Sequence, residues 1–336
     1  MIRLLLVALW LSSPALSDTL RIATFNTELS RDGPGLLLRD IQKGKNPQID
    51  AVVQVITRAR PDILALQSID WDHDSRALSA LNDRLIQAGH GFDHLLALQP
   101  NTGIETGLDM NGDGYLGDAE DAQSFGAFTG QGGIALLSRY PFALDQLRDL
   151  SPLLWRDLPG ALLPTHPDGR PFPSDAALAV QRLSYTGHWV VPVALPQGRI
   201  TLMSFQAAPP VFDGPEDQNG RRNHDEILLW TRLMDGAMGP APARPMVLLG
   251  GANQDPDRGQ GRKAAIRALL AHPHLQDPKP RAPDGSLTTV DWGEIGQMRV
   301  DYILPDARLT VTDAGIEQAP AASRHHLVWV DLDLPG

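Results

Sequence analysis

Cysteine is absent from all 336 residues. That excludes a disulfide framework, thiol nucleophiles and cysteine-ligated metal centres. Beyond the N-terminus no apolar run approaches the roughly 18 residues that a membrane-spanning helix needs, so no span is expected. Basic residues are the minority, with 29 Lys and Arg against 40 Asp and Glu, a formal net charge of −11. Long duplex nucleic acid is therefore a disfavoured partner, because its binding is dominated by neutralising phosphates with Lys and Arg. There is no internal repeat. The 31 Gly and 28 Pro are scattered, which suggests many tight loops rather than a linker.

The N-terminus has the three parts of a secretory signal peptide: Arg3, the apolar stretch from Leu4 to Leu11, and the small-residue site Ala15-Leu16-Ser17. Removal of residues 1–17 leaves a secreted or periplasmic chain beginning near Asp18. Its formal charge is −12, the −11 of the whole chain less the single positive charge of Arg3.

Within the mature chain, short β-rich apolar runs alternate with helical patterns. The spacing predicts strands over Leu20–Phe25, Ile63–Leu66, Ile134–Ser138, Val190–Ala194, Ile200–Phe205, Met246–Leu249, Val300–Leu304 and Leu327–Leu332. Helical stripes run through Ile49, Val52, Val53 and Ile56, through Leu78, Leu81 and Leu85, and through Ile227, Trp230 and Met234. A further helix is expected over Arg262–Ala271. Many strands with few helices suggest two packed sheets with helices outside. No composition break divides residues 18–336, so one domain is expected, with insertions near 97–131 and 150–178.

Polar residues stand at the ends of these strands in a particular order. They are Thr24-Phe25-Asn26, Leu66-Gln67-Ser68, Ser138-Arg139-Tyr140-Pro141, Gly250-Gly251-Ala252-Asn253, Arg299-Val300-Asp301-Tyr302 and Ser323-Arg324-His325. The series, with Pro210–Asp217 and Asn219–Glu226, resembles the endonuclease/exonuclease/phosphatase superfamily over essentially the whole mature chain. Its bacterial secreted members are the most similar. The resemblance implies a DNase I-like, four-layered α/β sandwich, two mixed sheets flanked by helices, and Mg²⁺-dependent hydrolysis of phosphate esters.

That chemistry needs a cation to stabilise charge on the phosphoryl oxygens and polar groups to orient the reacting phosphate and water. Residue by residue, the motif survives only in part. Asn26, Asn253 and His325 match the family's pattern, and Asp301 matches a residue supporting the site. Where the family has its main metal-ligating Glu this chain has Ser68, and where it has the Asp that orients water, Gly251. Arg324 replaces the Asp before the last strand's His, and Gln206 replaces a mid-chain His. Three carboxylates lost and one guanidinium gained change the site by four charge units. Magnesium, which is commonly held by one or two carboxylates, is not expected there.

Glu28 and Asp70 lie two residues beyond Asn26 and Ser68. In a regular strand that spacing returns to the same face about 6.6 Å along, so both are expected to be ordinary solvated acids. Arg324, His325 and His326 make the remnant basic, which suits a phosphate-bearing or other anionic small ligand. Arg182 and His188 resemble subgroup positions that face the cleft, and with Arg324 they are candidate ligand-binding residues.

A second motif is independent of the first. Asp109, Asn111 and Asp113 occupy positions 1, 3 and 5 of a twelve-residue calcium loop. Gly114 is at the turn, Tyr115 offers a carbonyl at position 7, and Glu120 closes it. Its flanks are not helical, so a structural calcium in an isolated loop is expected. Three functional readings stand open: a pseudoenzyme that binds an anion or partner, a metal-dependent phosphoesterase with displaced ligands, and a calcium-stabilised interaction module.

Overall fold

Central strands with apolar residues on both faces need cover on both sides, and here it is supplied twice. The computed structural model describes residues 19–333. The expected leader at 1–17 and its cleavage site at Ser17 lie outside them.

The first sheet runs in the order β12 (Thr310–Glu317), β13 (Leu327–Asp333), β1 (Thr19–Leu29), β2 (Ile63–Ile69), β4 (Gly133–Ser138), β3 (His94–Leu96). The second runs β11 (Asp301–Pro305), β8 (Met246–Gly251), β7 (Gly198–Gln206), β6 (Gly187–Leu195), β5 (Arg148–Asp149). A short ribbon joins β9 (Val290–Asp291) to β10 (Gln297–Met298). Each sheet is mixed: β1 pairs parallel with β2, and β7 with β8, while the remaining pairs are antiparallel.

Period-two alternation sorts the side chains into layers. Ile22, Ile63 and Ala65 face the other sheet and pack with Val191, Leu202, Leu249 and Ile303. Their neighbours Ala23, Leu64 and Leu66 turn outward onto helices α1 (Leu36–Lys43), α2 (Pro47–Ala59) and α3 (Arg76–Gln87). On the far side Met203, Phe205 and Leu248 meet α5 (Gln218–Met234) and α6 (Ala264–Leu270), while α4 (Asp175–Val180) is a single short turn. The order is helix, sheet, sheet, helix, the four-layered α/β sandwich.

Local signals explain the best-defined elements. Helix α2 begins with Asn46, whose side chain accepts from the amides of Gln48 (3.0 Å) and Ile49 (3.3 Å), and with Pro47 in its first turn. Its expected stripe is buried and extended by Val55 and Ala59. The strand expected over Val300–Leu304 runs one residue later, over Asp301–Pro305. The spacing in the sequence does not predict strands β3 and β12 or helix α1. Strand β12 is an edge whose first half is largely exposed, so it lacks the apolar alternation that marks a buried strand.

Candidate functional site

The ends of β1, β2, β7 and β8 open onto one cavity of about 1160 Å³, closed on another side by the segment before β13. Asn26, Ser68, Gln206, Asn253, Arg324 and His325 all line it. Glu28, Ser68 and Asn253 have left-handed backbones there, with φ of 48°, 54° and 51°. Backbone of this kind in residues other than glycine costs energy, and such outliers gather at functional sites. Strand β8 can approach β7 this closely only through Gly250, where an added Cβ would lie 2.0 Å from the Phe205 carbonyl oxygen.

His325 is held on two sides. Its Nδ1 lies 2.8 Å from Asp301 Oδ2, and its Nε2 lies 3.4 Å from Asn26 Nδ2. A proton on Nδ1 donated to Asp301 leaves Nε2 to accept from Asn26; a second proton turns Nε2 into a donor toward the cavity. Asp301 is buried, and its other oxygen has no hydrogen-bond partner among the described residues. That oxygen faces the place where a side chain at Gly251 would begin, 3.4 Å from an ideal Cβ. Asn253 Nδ2 donates to the Ala207 carbonyl at 2.8 Å. Gln206 and Ser68 bridge the two sheets: the Ser68 amide donates to Gln206 Oε1 (3.2 Å), and Gln206 Nε2 donates to Ser68 Oγ (3.1 Å).

The acids that remain are engaged. Glu28 Oε1 accepts from Arg324 Nε (2.8 Å) and Nη2, and Oε2 accepts from the Arg324 amide (2.8 Å) and Ser323 Oγ (3.0 Å). Burial disfavours charge on Glu28, but these Arg324 contacts outweigh it and hold the carboxyl below its ordinary range. The Arg324 guanidinium also stacks 4.6 Å from the Trp292 ring, which meets His325 edge to face at 5.1 Å.

Two expectations about acids are corrected here. Glu28 is not a solvated acid, because β1 has a register shift between Asn26 and Leu29 that turns its side chain toward Arg324. Asp70 is buried, accepting from the amides of Arg31 and Gly132 at 2.9 Å each, and burial pushes its carboxyl above the usual range. Among the described residues, no group of three or more His, Cys, Asp or Glu side chains is placed to hold a metal.

The structure separates Arg182 and His188 from the cleft they were expected to face. His188 is fully buried between Phe205 and Trp230, with Nδ1 against Ser184 Oγ (2.7 Å) and Nε2 against the Glu226 carbonyl (3.1 Å). Burial pushes its pKa down to about 3. Arg182 donates to Asn101 Oδ1 at 2.8 Å. Neither lines the cavity: His188, on β6, points under α5, and Arg182, in the segment between α4 and β6, turns to Asn101.

The segment Asn219–Glu226 turns out to be a buried strut within α5. Arg222 donates to the carbonyls of Leu183, Gln123, Arg182 and Ser184. Asn223 donates to those of Ala208 and Ala252, at 2.7 Å each, and so positions Asn253. Glu226 accepts from the amides of Tyr185 (2.5 Å) and Ala208 (2.7 Å). Burial pushes Glu226 up to about 8, with Arg222 and the two amides opposing. Asp225 accepts from Trp155 Nε1 and the Leu162 amide.

Sequence reasoning missed the apolar side of the cavity. Trp292 and Met298 line it, with Phe125, Phe212 (89% exposed) and Ile295 (75% exposed) at its mouth. Their scatter along the chain leaves no local signal.

In the long segment between β3 and β4, Asp109 accepts from the amides of Gly112 (2.6 Å) and Gly114 (2.9 Å). Asn111 accepts from Asp113 (3.1 Å), and Asp113 from Tyr115 (2.8 Å). Glu120 accepts from Asn111 Nδ2 at 2.5 Å.

The sequence model of the Endonuclease/Exonuclease/phosphatase family matches residues 23–325. No curated protein matches the chain. Among solved structures, an endonuclease/exonuclease/phosphatase from Beutenbergia cavernae aligns with a TM-score of 0.58 at 18% identity, covering 95% of this chain and 72% of that one. A family protein from Leptotrichia buccalis aligns at 0.55 and 15%, covering 94% and 100%. The sphingomyelinase C of Streptomyces griseocarneus aligns at 0.53 and 15%, covering 94% and 99%. Identities this low speak to the fold, and the match over 23–325 speaks to the family. By that match and this architecture, the chain belongs to the endonuclease/exonuclease/phosphatase family.

Proposed function

We propose that this exported protein is a non-hydrolytic member of its family that binds a phosphate-bearing or other anionic small ligand in the remnant cleft. The observation that carries the reading is the Arg324–Glu28 pair. Glu28, beside the vacated positions, already meets a guanidinium, and Asp301 is spent in part on His325, while positions 68 and 251 offer a hydroxyl and no side chain. Magnesium takes hard oxygen donors in near-octahedral geometry, usually with carboxylates among them. The residues present do not fit it.

What remains suits an oxyanion. Arg324 Nη1 has no partner among the described residues, Asn26 and His325 stand beside it, and His325 keeps the Asp301 contact that orients its ring. Trp292, Met298, Phe212 and Ile295 suit an apolar body attached to the anion.

A hydrolysis panel tests this. Purified protein lacking residues 1–17, given phosphodiesters and phosphomonoesters with Mg²⁺, Mn²⁺ or Ca²⁺, is expected to show no turnover above blank. The triple variant Ser68→Glu, Gly251→Asp, Arg324→Asp is expected to gain turnover. Turnover by the unmodified protein that disappears in His325→Ala would overturn the reading in favour of a phosphoesterase with displaced metal ligands.

Calcium binding by the loop from Asp109 to Glu120 is part of the same proposal. The reading rests on the spacing of Asp109, Asn111, Asp113, Tyr115 and Glu120. Here the oxygens of Asp109, Asn111 and Asp113 accept from the loop's own amides and Glu120 accepts from Asn111, and a cation would take these oxygens in their place. Millimolar calcium is expected to raise the Tm by several degrees through preferential binding to the folded state. Glu120→Ala is expected to abolish that rise; an equal rise in both proteins would sink the assignment.

A further inference from the structure

A second cavity, of about 840 Å³, lies beside the cleft and shares Asp255, Arg258 and Gln297 with it. Its lining carries the cations Arg258, Arg267, Lys279, Arg281 and Arg299 against the acids Asp255, Asp257 and Asp277. That is a local positive excess in a chain whose net charge is −11.

The acids are largely spent within the fold. Both Asp277 oxygens are taken by Arg299, at 2.6 and 2.7 Å. Asp255 accepts from the amides of Asp257 (2.8 Å), Arg258 (2.9 Å) and Arg299 (2.8 Å). Asp257 reaches Arg267 only at 3.5 Å, with both side chains mostly exposed, so that pair is weak.

Three cationic heads are left without a carboxylate in contact. Among the described residues, the Arg258 guanidinium donates only to the Gln297 carbonyl and that of Arg281 only to the Gly285 carbonyl, while Lys279 Nζ makes no hydrogen bond. The hydroxyls of Ser286 and Thr288, hydrogen-bonded to each other at 3.0 Å, stand in the same wall, and Ser286 also bonds Asp284. Arg258 comes from the loop before α6, and Lys279 and Arg281 from the segment after it. One concave surface thus presents several positive charges, with Asp255 and Asp277 already engaged and Asp257 the one lining acid left largely exposed. Guanidinium and ammonium groups so arranged recognise phosphate oxygens, and the trough is far larger than one phosphate.

We propose that this trough is an anion site separate from the remnant catalytic cleft, and that it takes a small oligoanion carrying several phosphate groups in a row. The site does not depend on the cleft reading, since it uses neither Arg324 nor His325.

The test is calorimetric titration of the full mature chain with tripolyphosphate and, separately, with orthophosphate, at 20 and 150 mM NaCl. Tripolyphosphate is expected to bind at least tenfold more tightly than orthophosphate, and more tightly at low salt. The double variant Lys279→Asn, Arg281→Gln, with an unchanged Tm, is expected to lose tenfold or more in tripolyphosphate affinity. Asn is chosen at 279 because the backbone there has φ of 52°. Should that variant fold poorly, Arg258→Gln alone is expected to weaken binding severalfold. Arg324→Ala is expected to leave intact the tight tripolyphosphate binding that the Lys279/Arg281 variant loses. No detectable tripolyphosphate binding overturns the proposal, as does binding indifferent to these substitutions, and equal loss in Arg324→Ala would place the anion in the cleft instead.

Discussion

Arg324→Ala is expected to weaken binding of phenyl phosphate in the cleft by about 2 kcal/mol, on the order of thirtyfold, the usual worth of a charge-assisted hydrogen bond to an oxyanion. Phenyl phosphate combines the anionic head and apolar body that the cavity walls suit. In the unmodified protein, EDTA and Mg²⁺ are expected to leave the affinity unchanged, because the counter-charge is a guanidinium fixed by Glu28 and Trp292. Calorimetry with both additives checks this. Binding that requires Mg²⁺, or that survives Arg324→Ala undiminished, would refute the role given to Arg324. Glu28→Gln is a useful companion: it frees Arg324 from its partner, and the guanidinium loses the fixed orientation that makes it selective.

Stability is expected to be flat between about pH 4.5 and 6.5 and to fall on either side, through two buried groups in the α5 strut. Glu226 is pushed up to about 8 from an ordinary 4.5, so the folded state keeps a proton the unfolded chain has lost. Its contribution is full below 4.5 and declines as pH rises to 8. His188 is pushed down to about 3 from 6.5, so the folded state refuses a proton the unfolded chain takes up, and stability declines as pH falls below 6.5. Between 4.5 and 6.5 the two slopes, each about 1.4 kcal/mol per pH unit, cancel. Raising pH from 6.5 to 8 is expected to cost about 2 kcal/mol. Urea denaturation across this range measures it. Glu226→Gln is expected to flatten the alkaline arm, while losing about 1–3 kcal/mol at every pH because its amide cannot accept from both Tyr185 and Ala208. Undiminished stability from pH 6.5 to 8 in the unmodified protein would contradict the burial argument.

The same strut explains why a stretch that looks so specific in the sequence does not supply ligand contacts. Arg222, Asn223, Asp225 and Glu226 spend their polar atoms on backbone groups and one indole, fixing the loops at 182–185, 207–208 and 252. Buried polar groups are tolerated because each is satisfied, and removing one partner strands another. Motif specificity here reports the positioning of a cleft rather than contact with its occupant.

Several features of this protein were determined by its sequence alone. Two-residue alternation in the central strands and the stripes of α2, α3 and α5 dictate layers, because burial on one face must repeat with the period of the element. That positions 68, 251 and 324 carry no carboxylate is likewise a fact of composition, independent of any fold. Tertiary structure alone decided the rest. Glu28 and Arg324 are 296 residues apart, and no local spacing encodes their meeting. A register shift in β1 aims Glu28, and the ribbon before β11 delivers Trp292 onto the guanidinium. Arg182 and His188 have residue types that suit a ligand site, yet the pleat of β6 buries His188 under α5, and Asn101 holds Arg182, in the segment before β6, away from the cleft. Periodicity is written along the chain; which side chains converge depends on how distant segments pack.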